Sequence, residues 1–268
     1  MTEHAVVGHP GPVTGPRRLN EVVLLTQRAL RREFRQVDGL IVGVALPVVL
    51  MCAMVGVFGR AIDTGTGLAY VDFVTPAVML LCAGYGAATT GVGVAEDRKL
   101  GLTQRFRTLP IAGWGLPAGQ VVASVLRNVL STAVATAAAL LLGFRPDAGV
   151  LDWLLVLAVV AGYVLTVAWW SIVWGLLVNS VQAAGAFSFV VLFVPYVSDS
   201  FVPVEALPGV LRTVAEYQPM TPLVETLRGL LLGQPVGDAA WLAAAWLAGG
   251  CAIAVPLTAV LFRRRGQA

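Results

Sequence analysis

The chain has 268 residues, of which 57% are hydrophobic and only 12% are charged, and its formal net charge is +3. A soluble domain carries roughly 25% charged residues, so this composition excludes a water-soluble globule and indicates a chain whose natural solvent is lipid. The basic balance does not indicate nucleic-acid binding, because most basic residues lie at the edges of apolar segments, where they set membrane topology.

The residue types that most often carry catalytic or metal chemistry are scarce. Both histidines, His4 and His9, lie in the N-terminal tail, and Cys52, Cys82 and Cys251 fall inside apolar runs. Neither a disulfide framework nor a cysteine metal site fits this pattern, and the body of the chain lacks the commonest general base. We therefore expect no catalytic residue, no metal and no cofactor bound by this chain.

The N-terminal region divides into two parts. Residues 1–18 are rich in Gly and Pro, which predicts a disordered tail. Residues 19–38 predict an amphipathic helix that begins after Asn20, a good N-cap residue, and that carries arginines opposite an apolar face. We expect this helix to lie in the cytoplasmic membrane interface. A solvated helix that packs on a soluble partner is the alternative.

Six apolar runs follow and predict an all-α polytopic membrane protein with six transmembrane helices, which form a single permease domain over residues 39–265. The runs are Leu40–Phe58, Val71–Ala95, a run from Trp114 or Leu116 to Gly143, Trp153–Val178, Ala183–Ser198 and Trp241–Phe262. The fifth run has only 16 residues, about 24 Å of helix, which is short for a full crossing.

The basic residues are distributed unequally between the two predicted sides. The side that holds both termini and the charged stretch Glu96–Ile111 carries 13 of the 18 Lys and Arg residues, and the opposite side carries four. The positive-inside rule therefore predicts that both termini and this stretch are cytoplasmic. We expect the protein to lie in the plasma membrane.

The remaining basic residue, Arg127, lies within the third predicted span. An arginine at the centre of the bilayer costs roughly 2.5–3.5 kcal/mol on insertion. It is expected either to extend to the lipid headgroups or to face a substrate or a polar partner. With Arg127, the side chains of Asn128, Asn179 and Gln182 are candidates for lining a translocation path, and interhelical hydrogen bonding is the alternative.

The segment between the fifth and sixth runs is too apolar for an ordinary loop and too rich in proline for a crossing. Its periodicity predicts a short helix over Leu207–Tyr217 and a second one over Met220–Leu231 that stops at Gly233. We expect a re-entrant hairpin over residues 201–233 in the outer leaflet, with Glu225 and Arg228 facing the outer interface or the space between subunits. Its candidate residues are Phe201, Pro203, Pro208, Pro219, Glu225 and Arg228.

The single lysine, Lys99, lies between Arg98 and Leu100. A P-loop needs a lysine between glycine and Ser or Thr, so these 268 residues do not contain one. The centres of the predicted spans also lack carboxylates, which disfavours an ion-coupled carrier that acts alone without removing it as an alternative.

Two groups of motifs give the chain a family resemblance. The first is Asp97-x-x-x-Gly101 followed by Arg105-Phe106-Arg107-x-Leu109-Pro110-Ile111; the second comprises Phe201-Val202-Pro203, Leu207-Pro208, Tyr217-Gln218-Pro219, Arg228-Gly229 and Gly233. With these motifs, residues 20–265 resemble the permease subunits of type-2 ATP-binding-cassette (ABC) exporters, and most nearly the daunorubicin/doxorubicin-resistance permeases. Tyr217 departs from the family, which often has His or Asn there.

The resemblance implies a permease that exports hydrophobic or amphipathic compounds, such as drugs, antibiotics or lipids. An exporter of lipids or glycoconjugates for the cell envelope is the alternative within the family. The permease would pair with a second copy or a related permease, and with two cytosolic ATPase subunits that bind the ATP and Mg²⁺.

The resemblance also implies a coupling helix over residues 97–110 that contacts the ATPase subunit. Its physical features suit this role: Gly101 permits a sharp turn, Pro110 ends the helix, and Phe106 offers an aromatic anchor. The candidate contact residues are Asp97, Arg98, Gly101, Arg105, Phe106, Arg107 and Pro110.

Overall fold

The computed structural model describes residues 26–27, 37–58, 67–100, 115–198, 200–201 and 209–264. Every regular element in these ranges is helical, which confirms the all-α fold class. The helices are α1 Val37–Phe58, α2 Tyr70–Ala88, α3 Thr90–Lys99, α4 Gly115–Leu141, α5 Val150–Leu177, α6 Val181–Phe193, α7 Gly209–Tyr217, α8 Met220–Leu232 and α9 Ala239–Arg264. The predicted disordered tail, and all of the predicted interface helix except residues 26–27 and 37–38, lie outside the described residues.

Four stretches of the described helices are long and apolar enough to cross a membrane: Tyr70–Lys99, Pro117–Leu141, Val150–Leu177 and Ala239–Arg264. Two shorter apolar stretches, Ala45–Val57 and Val181–Val197, lie in the first and fifth predicted runs. The structure is thus that of a multi-pass membrane protein, while the count of six crossings stays a prediction.

The second predicted span differs from the sequence expectation. Instead of one helix that ends at Ala95, helices α2 and α3 meet at a break at Thr89, and α3 continues through the charged residues to Lys99. Together they cover 30 residues, about 45 Å of helix, whereas a bilayer core is about 30 Å thick. Asp97 and Arg98, the first two residues of the predicted coupling helix, therefore belong to the last turn of α3.

Helix α6 shows how the short fifth run gains length. After 13 residues of α-helix, the chain continues as a 3₁₀ helix over Val194–Val197. Because a 3₁₀ helix rises about 2.0 Å per residue and an α-helix about 1.5 Å, the combined element reaches about 28 Å. This length is close to the thickness of a bilayer core.

The α2–α3 pair is the most enclosed of the long elements. It packs against α1, α4, α5, α6 and α8, and 72% of its most apolar stretch is buried, against 11% for α9. We call the two ends of the bundle the Tyr70 end, where α2 begins, and the Lys99 end, where α3 stops. Helix α5 runs in the same direction as α2–α3, since its start lies near Asp72 and its end near Arg98.

At the Tyr70 end, hydrogen bonds join the start of α2 and the end of α8 to the loops that follow α4 and α6. The loop between α4 and α5 donates the backbone N–H of Arg145 to Asp72 (3.0 Å) and that of Asp147 to the Leu231 carbonyl (2.8 Å). The Tyr70 hydroxyl donates to the carbonyl of Phe201 (3.2 Å). The start of α2 is therefore held both by this loop and by the chain that follows α6.

The structure contains the two helices predicted for the hairpin, α7 and α8. Helix α8 ends at Gly233, whose φ of 63° is the left-handed conformation expected of a C-terminal glycine. The depth of the hairpin in a bilayer stays a prediction. Pro203 and Pro208 lie outside the described residues, and Pro219 immediately precedes α8.

From the sequence, Arg228 is expected to face the outer interface or the space between subunits, and the structure places it differently. Its side chain is buried, with the guanidinium carbon 3.8 Å from the centroid of the Phe73 ring. Its Nη2 donates to the Phe73 carbonyl (3.4 Å). A cation over an aromatic face gains energy when desolvated, which explains why Arg228 turns towards α2. Glu225 is exposed, and its place at the outer interface or between subunits stays a prediction.

Helices α3 and α5 approach so closely that glycine is required where they cross. A Cβ atom on Gly91 would overlap the backbone carbonyl of Ser171, and one on Gly175 would overlap the backbone of Gly91. Ser171 and Gly175 are four residues apart on α5, a small-xxx-small spacing that lets helix backbones meet in membranes.

We expect Gly91→Ala to lower the free energy of unfolding by about 1–3 kcal/mol, because backbone atoms must move to admit the methyl group. The measurement is thermal unfolding of the purified protein in detergent. The matched control is Gly93→Ala on the same helix, where the nearest atoms lie 3.9 Å from the added Cβ. Equal melting temperatures for the two variants would contradict the close crossing of α3 and α5.

Candidate functional site

The break between α2 and α3 lies inside a buried helix pair. Thr89 alone separates the two helices, and it keeps right-handed dihedral angles (φ −76°, ψ −12°). An interruption frees backbone N–H and C=O groups that lipid cannot satisfy, so neighbouring protein groups must bind them. The residues around the break show which groups do so.

Ser171 of α5 bridges the two sides of the break. Its Oγ accepts the backbone N–H of Gly91 (2.8 Å) and donates to the carbonyl of Ala88. Ser171 is completely buried. One hydroxyl thus pairs with a donor at the start of α3 and an acceptor at the end of α2.

Arg127 of α4 binds the same break from the other side. Its Nη2 donates to the Gly86 carbonyl (2.5 Å) and to Thr89 Oγ1 (3.1 Å), while Thr89 Oγ1 donates to Gly86 O (2.7 Å). Arg127 is only 9% exposed. Of the two expectations for this residue, the structure supports polar pairing inside the bundle and not extension to the headgroups. A role in lining a path stays a prediction.

Two further polar residues of α4, Ser124 and Asn128, lie beside the break. Thr90 Oγ1 donates to Ser124 Oγ (2.9 Å), and Asn128 Nδ2 donates to the carbonyl (2.8 Å) and the hydroxyl (3.1 Å) of Ser124. Asn128 also packs so closely on Gly86 that a Cβ there would overlap its amide. From the sequence, Asn128 is expected to form a hydrogen bond between helices. The bonds of its Nδ2 instead hold Ser124 on the same helix, and Ser124 in turn bonds Thr90 of α3.

A second polar cluster occupies the Lys99 end. Asp97 is 3% exposed and accepts Gln120 Nε2 of α4 (2.8 Å). Arg98 Nη1 donates to the carbonyls of Gly175 (3.3 Å), Leu176 (3.2 Å) and Val178 (3.4 Å) at the end of α5. The last carbonyls of a helix lack internal donors and carry its negative dipole end, so they favour a cation.

A cavity of about 280 Å³ lies beside this cluster. Arg98, Lys99, Asn179, Ser180 and Gln182 contribute its polar lining. The four candidate path residues therefore fall into two separate places. Arg127 and Asn128 lie at the helix break, and Asn179 and Gln182 line the cavity at the Lys99 end.

The rest of the predicted coupling helix cannot be placed in this way. Gly101, Arg105, Phe106, Arg107 and Pro110 lie outside the described residues. Within the described part of the chain, no three His, Cys, Asp or Glu side chains are grouped to hold a metal ion.

Sequence reasoning missed Thr89, Ser171 and Gln120. A signal was present for Ser171, because Ser171-x-x-x-Gly175 is a small-xxx-small pair in an apolar run. Thr89 had no such signal, since neither Pro nor a charge marks the break.

Comparison with known proteins gives a family and two relatives. Residues 20–232 match the sequence profile described as "ABC-2 type transporter". The "Daunorubicin resistance ABC transporter permease protein DrrB1" of Streptomyces coeruleorubidus is 29% identical over 223 residues, which cover 83% of this chain and 78% of that protein. The "Probable doxorubicin resistance ABC transporter permease protein DrrC" of Mycobacterium tuberculosis is 26% identical over 252 residues, 91% of this chain and 88% of that protein.

We expect Ser171→Ala to destabilise the protein by about 1–3 kcal/mol, because it leaves the buried Gly91 N–H without an acceptor and the Ala88 carbonyl without its donor. Thermal unfolding and amide hydrogen exchange at Gly91 measure the effect. Thr136→Ala is the control, since the Thr136 hydroxyl bonds only within α4, to Thr132 O (2.8 Å). Unchanged exchange at Gly91 would contradict the bridging role of Ser171.

Proposed function

The chain belongs to the ABC-2 type transporter family, and from this premise we propose that it is the permease subunit of an ATP-driven exporter powered by separate ATPase subunits. The observation that supports the proposal best is the α2–α3 pair. It is buried among five helices, it exceeds a bilayer core in length, and its charged last turn is bonded to α4 and α5. A displacement applied beyond Lys99 would therefore act on the centre of the bundle.

Energy for transport must come from another polypeptide in this proposal. The 268 residues contain one lysine, Lys99, and its neighbours do not form the phosphate-binding loop of an ATPase. We propose two cytosolic ATPase subunits that hold the ATP and Mg²⁺. The segment that follows Lys99, with Arg105, Phe106 and Arg107, is the proposed contact. Closure of the ATPase pair would then move the helices as rigid bodies.

We propose that two permeases, identical or related, form the cargo path together. The bundle exposes apolar side chains on α4, α5 and α9, which suit contact with lipid or with another permease.

The proposed cargo is a hydrophobic or amphipathic compound. The relatives are named for resistance to daunorubicin and doxorubicin, and export of a drug or antibiotic follows from that likeness as the first candidate. A lipid or glycoconjugate of the cell envelope is the alternative. Purified complex in lipid, assayed for ATP hydrolysis stimulated by each compound class, separates the two.

The proposed location is the plasma membrane, with both termini in the cytoplasm. Arg98 and Lys99 lie at one end of the bundle, and α9 runs parallel to α5 so that Arg263 and Arg264 reach the same end. The positive-inside rule orients this end towards the cytoplasm.

The docking proposal predicts that Arg105→Ala and Phe106→Ala each weaken binding of the ATPase subunit. Loss of an aromatic or arginine anchor costs roughly 2 kcal/mol, about thirtyfold in Kd. Co-purification and titration of candidate ATPases with the permease in detergent measure the effect. Arg212→Ala is the matched control, because this arginine is exposed on α7 at the opposite end. Wild-type affinity in both variants would contradict docking at this segment.

The orientation predicts a labelling pattern for single cysteines in a variant that lacks Cys52, Cys82 and Cys251. An impermeant maleimide should label Tyr217→Cys, which is 77% exposed, in intact cells. It should label Leu100→Cys, 67% exposed, only after the membrane is opened.

Phe189→Cys is the control for this experiment. Phe189 is 63% exposed on the apolar helix α6. If that surface faces lipid, the cysteine should stay unlabelled from both sides. The reversed pattern for Tyr217→Cys and Leu100→Cys would overturn the proposed orientation.

A further inference from the structure

Arg98 makes contacts that a surface docking residue does not need. One nitrogen, Nη1, lies 3.2–3.4 Å from three backbone carbonyls of Gly175, Leu176 and Val178. These oxygens end helix α5, where a positive charge is stabilised by the helix dipole. The guanidinium also offers several donors in a fixed plane. The half-buried Arg98 side chain is thus directed towards the end of α5.

Asp97 makes a second contact, to the neighbouring helix α4. Its carboxylate is almost completely buried and accepts Gln120 Nε2 of α4 at 2.8 Å. The two adjacent residues therefore hold the last turn of α3 between α4 and α5. Lys99, the next residue, is exposed.

About two turns further into the bundle, α3 and α5 are joined again. The N–H of Gly91 bonds to Ser171, and the backbones of Gly91 and Gly175 meet without room for a Cβ atom. Contacts at both Gly91 and Arg98 prevent α3 from sliding along α5 unless these bonds break. The two helices are therefore fixed at two levels.

The end of α5 is in turn joined to the start of α6. Ser180 Oγ accepts the N–H of Ala183 (3.1 Å) as the N-cap of α6. The indole Nε1 of Trp174 donates to the Ala183 carbonyl (2.8 Å). A movement of the end of α5 would therefore carry the start of α6 with it.

From these contacts we infer that Arg98, with Asp97, is an internal clamp that makes α3, α4 and α5 move as one body when the segment after Lys99 is displaced. Arg98 is then a positioning residue and does not contact the ATPase subunit, contrary to its place in the coupling motif. The inference rests on the proposed function, because it assigns the route by which force from the ATPase enters the bundle.

The test compares Arg98→Ala with Arg212→Ala in purified complexes with the ATPase subunits. Arg98→Ala should keep ATPase binding within about twofold of wild type but lower the cargo transported per ATP hydrolysed about tenfold, the scale of a typical coupling free energy. Arg212→Ala removes an exposed charge on α7, at the opposite end of the bundle, and should match wild type in both measurements. Arg98→Lys should fall between them, since one ammonium cannot reproduce the planar guanidinium.

Amide hydrogen exchange of the isolated permease gives a readout that does not require an ATPase. Arg98→Ala should raise exchange at residues 176–184, around the α5–α6 junction, and Lys99→Ala should not. If Arg98→Ala folds poorly, Arg98→Lys carries the same comparison.

Three results would overturn the inference: ATPase affinity that falls in Arg98→Ala as far as in Arg105→Ala, transport per ATP that stays at the wild-type value, or unchanged exchange at the junction. Failure of the proposed function appears differently, as a wild-type permease that neither binds an ATPase nor supports ATP-driven transport. In that case the exchange measurement alone decides whether Arg98 clamps α5.

Discussion

The middle of this structure depends on one constraint: the backbone N–H and C=O groups at the Thr89 break must find hydrogen-bond partners within the protein. A helix can be interrupted within a membrane protein only where other protein groups bind the freed polar atoms. Here Ser171 and Arg127 do so from two different helices. The break therefore fixes the positions of α4 and α5 around α2–α3, and it makes polar residues in otherwise apolar helices necessary to the fold.

The two halves of the interrupted element have different partners. Helix α2 is tied at its start to the hairpin, through Tyr70 and through the Arg228 guanidinium on Phe73. Helix α3 is tied at its end to α4 and α5 by Asp97 and Arg98. In the proposed transporter, the break would separate a portion joined to the hairpin from a portion joined to the segment that contacts the ATPase. Thr89 is the single residue between them.

The sequence predicts the helical content, the membrane class and the approximate bounds of the long apolar helices, because those follow from hydropathy and length. It also locates the hairpin helices and the stop at Gly233, which have local signals. It does not predict the break, since Thr89 is an ordinary residue whose role depends on Ser171, distant in sequence. Arg228 shows the same limit: its charge predicts an interface, while its actual partner is an aromatic ring more than 150 residues away. Pairings of this kind depend on tertiary contacts that no local pattern encodes.

The unequal lengths of neighbouring helices have a consequence for the surrounding lipid. Helix α6 with its 3₁₀ extension reaches about 28 Å, whereas α2–α3 beside it extends for about 45 Å. Phe189, Val190 and Phe193 are exposed on α6, and in the proposed exporter they would present that shorter apolar height to the acyl chains. Hydrophobic mismatch costs fractions of a kcal/mol per Å and is relieved when lipid thins around the shorter element. Because about 28 Å is close to the roughly 30 Å of an average bilayer core, only a membrane thicker than average would have to thin beside α6, and the thickness of the host membrane becomes a variable in the protein's energetics.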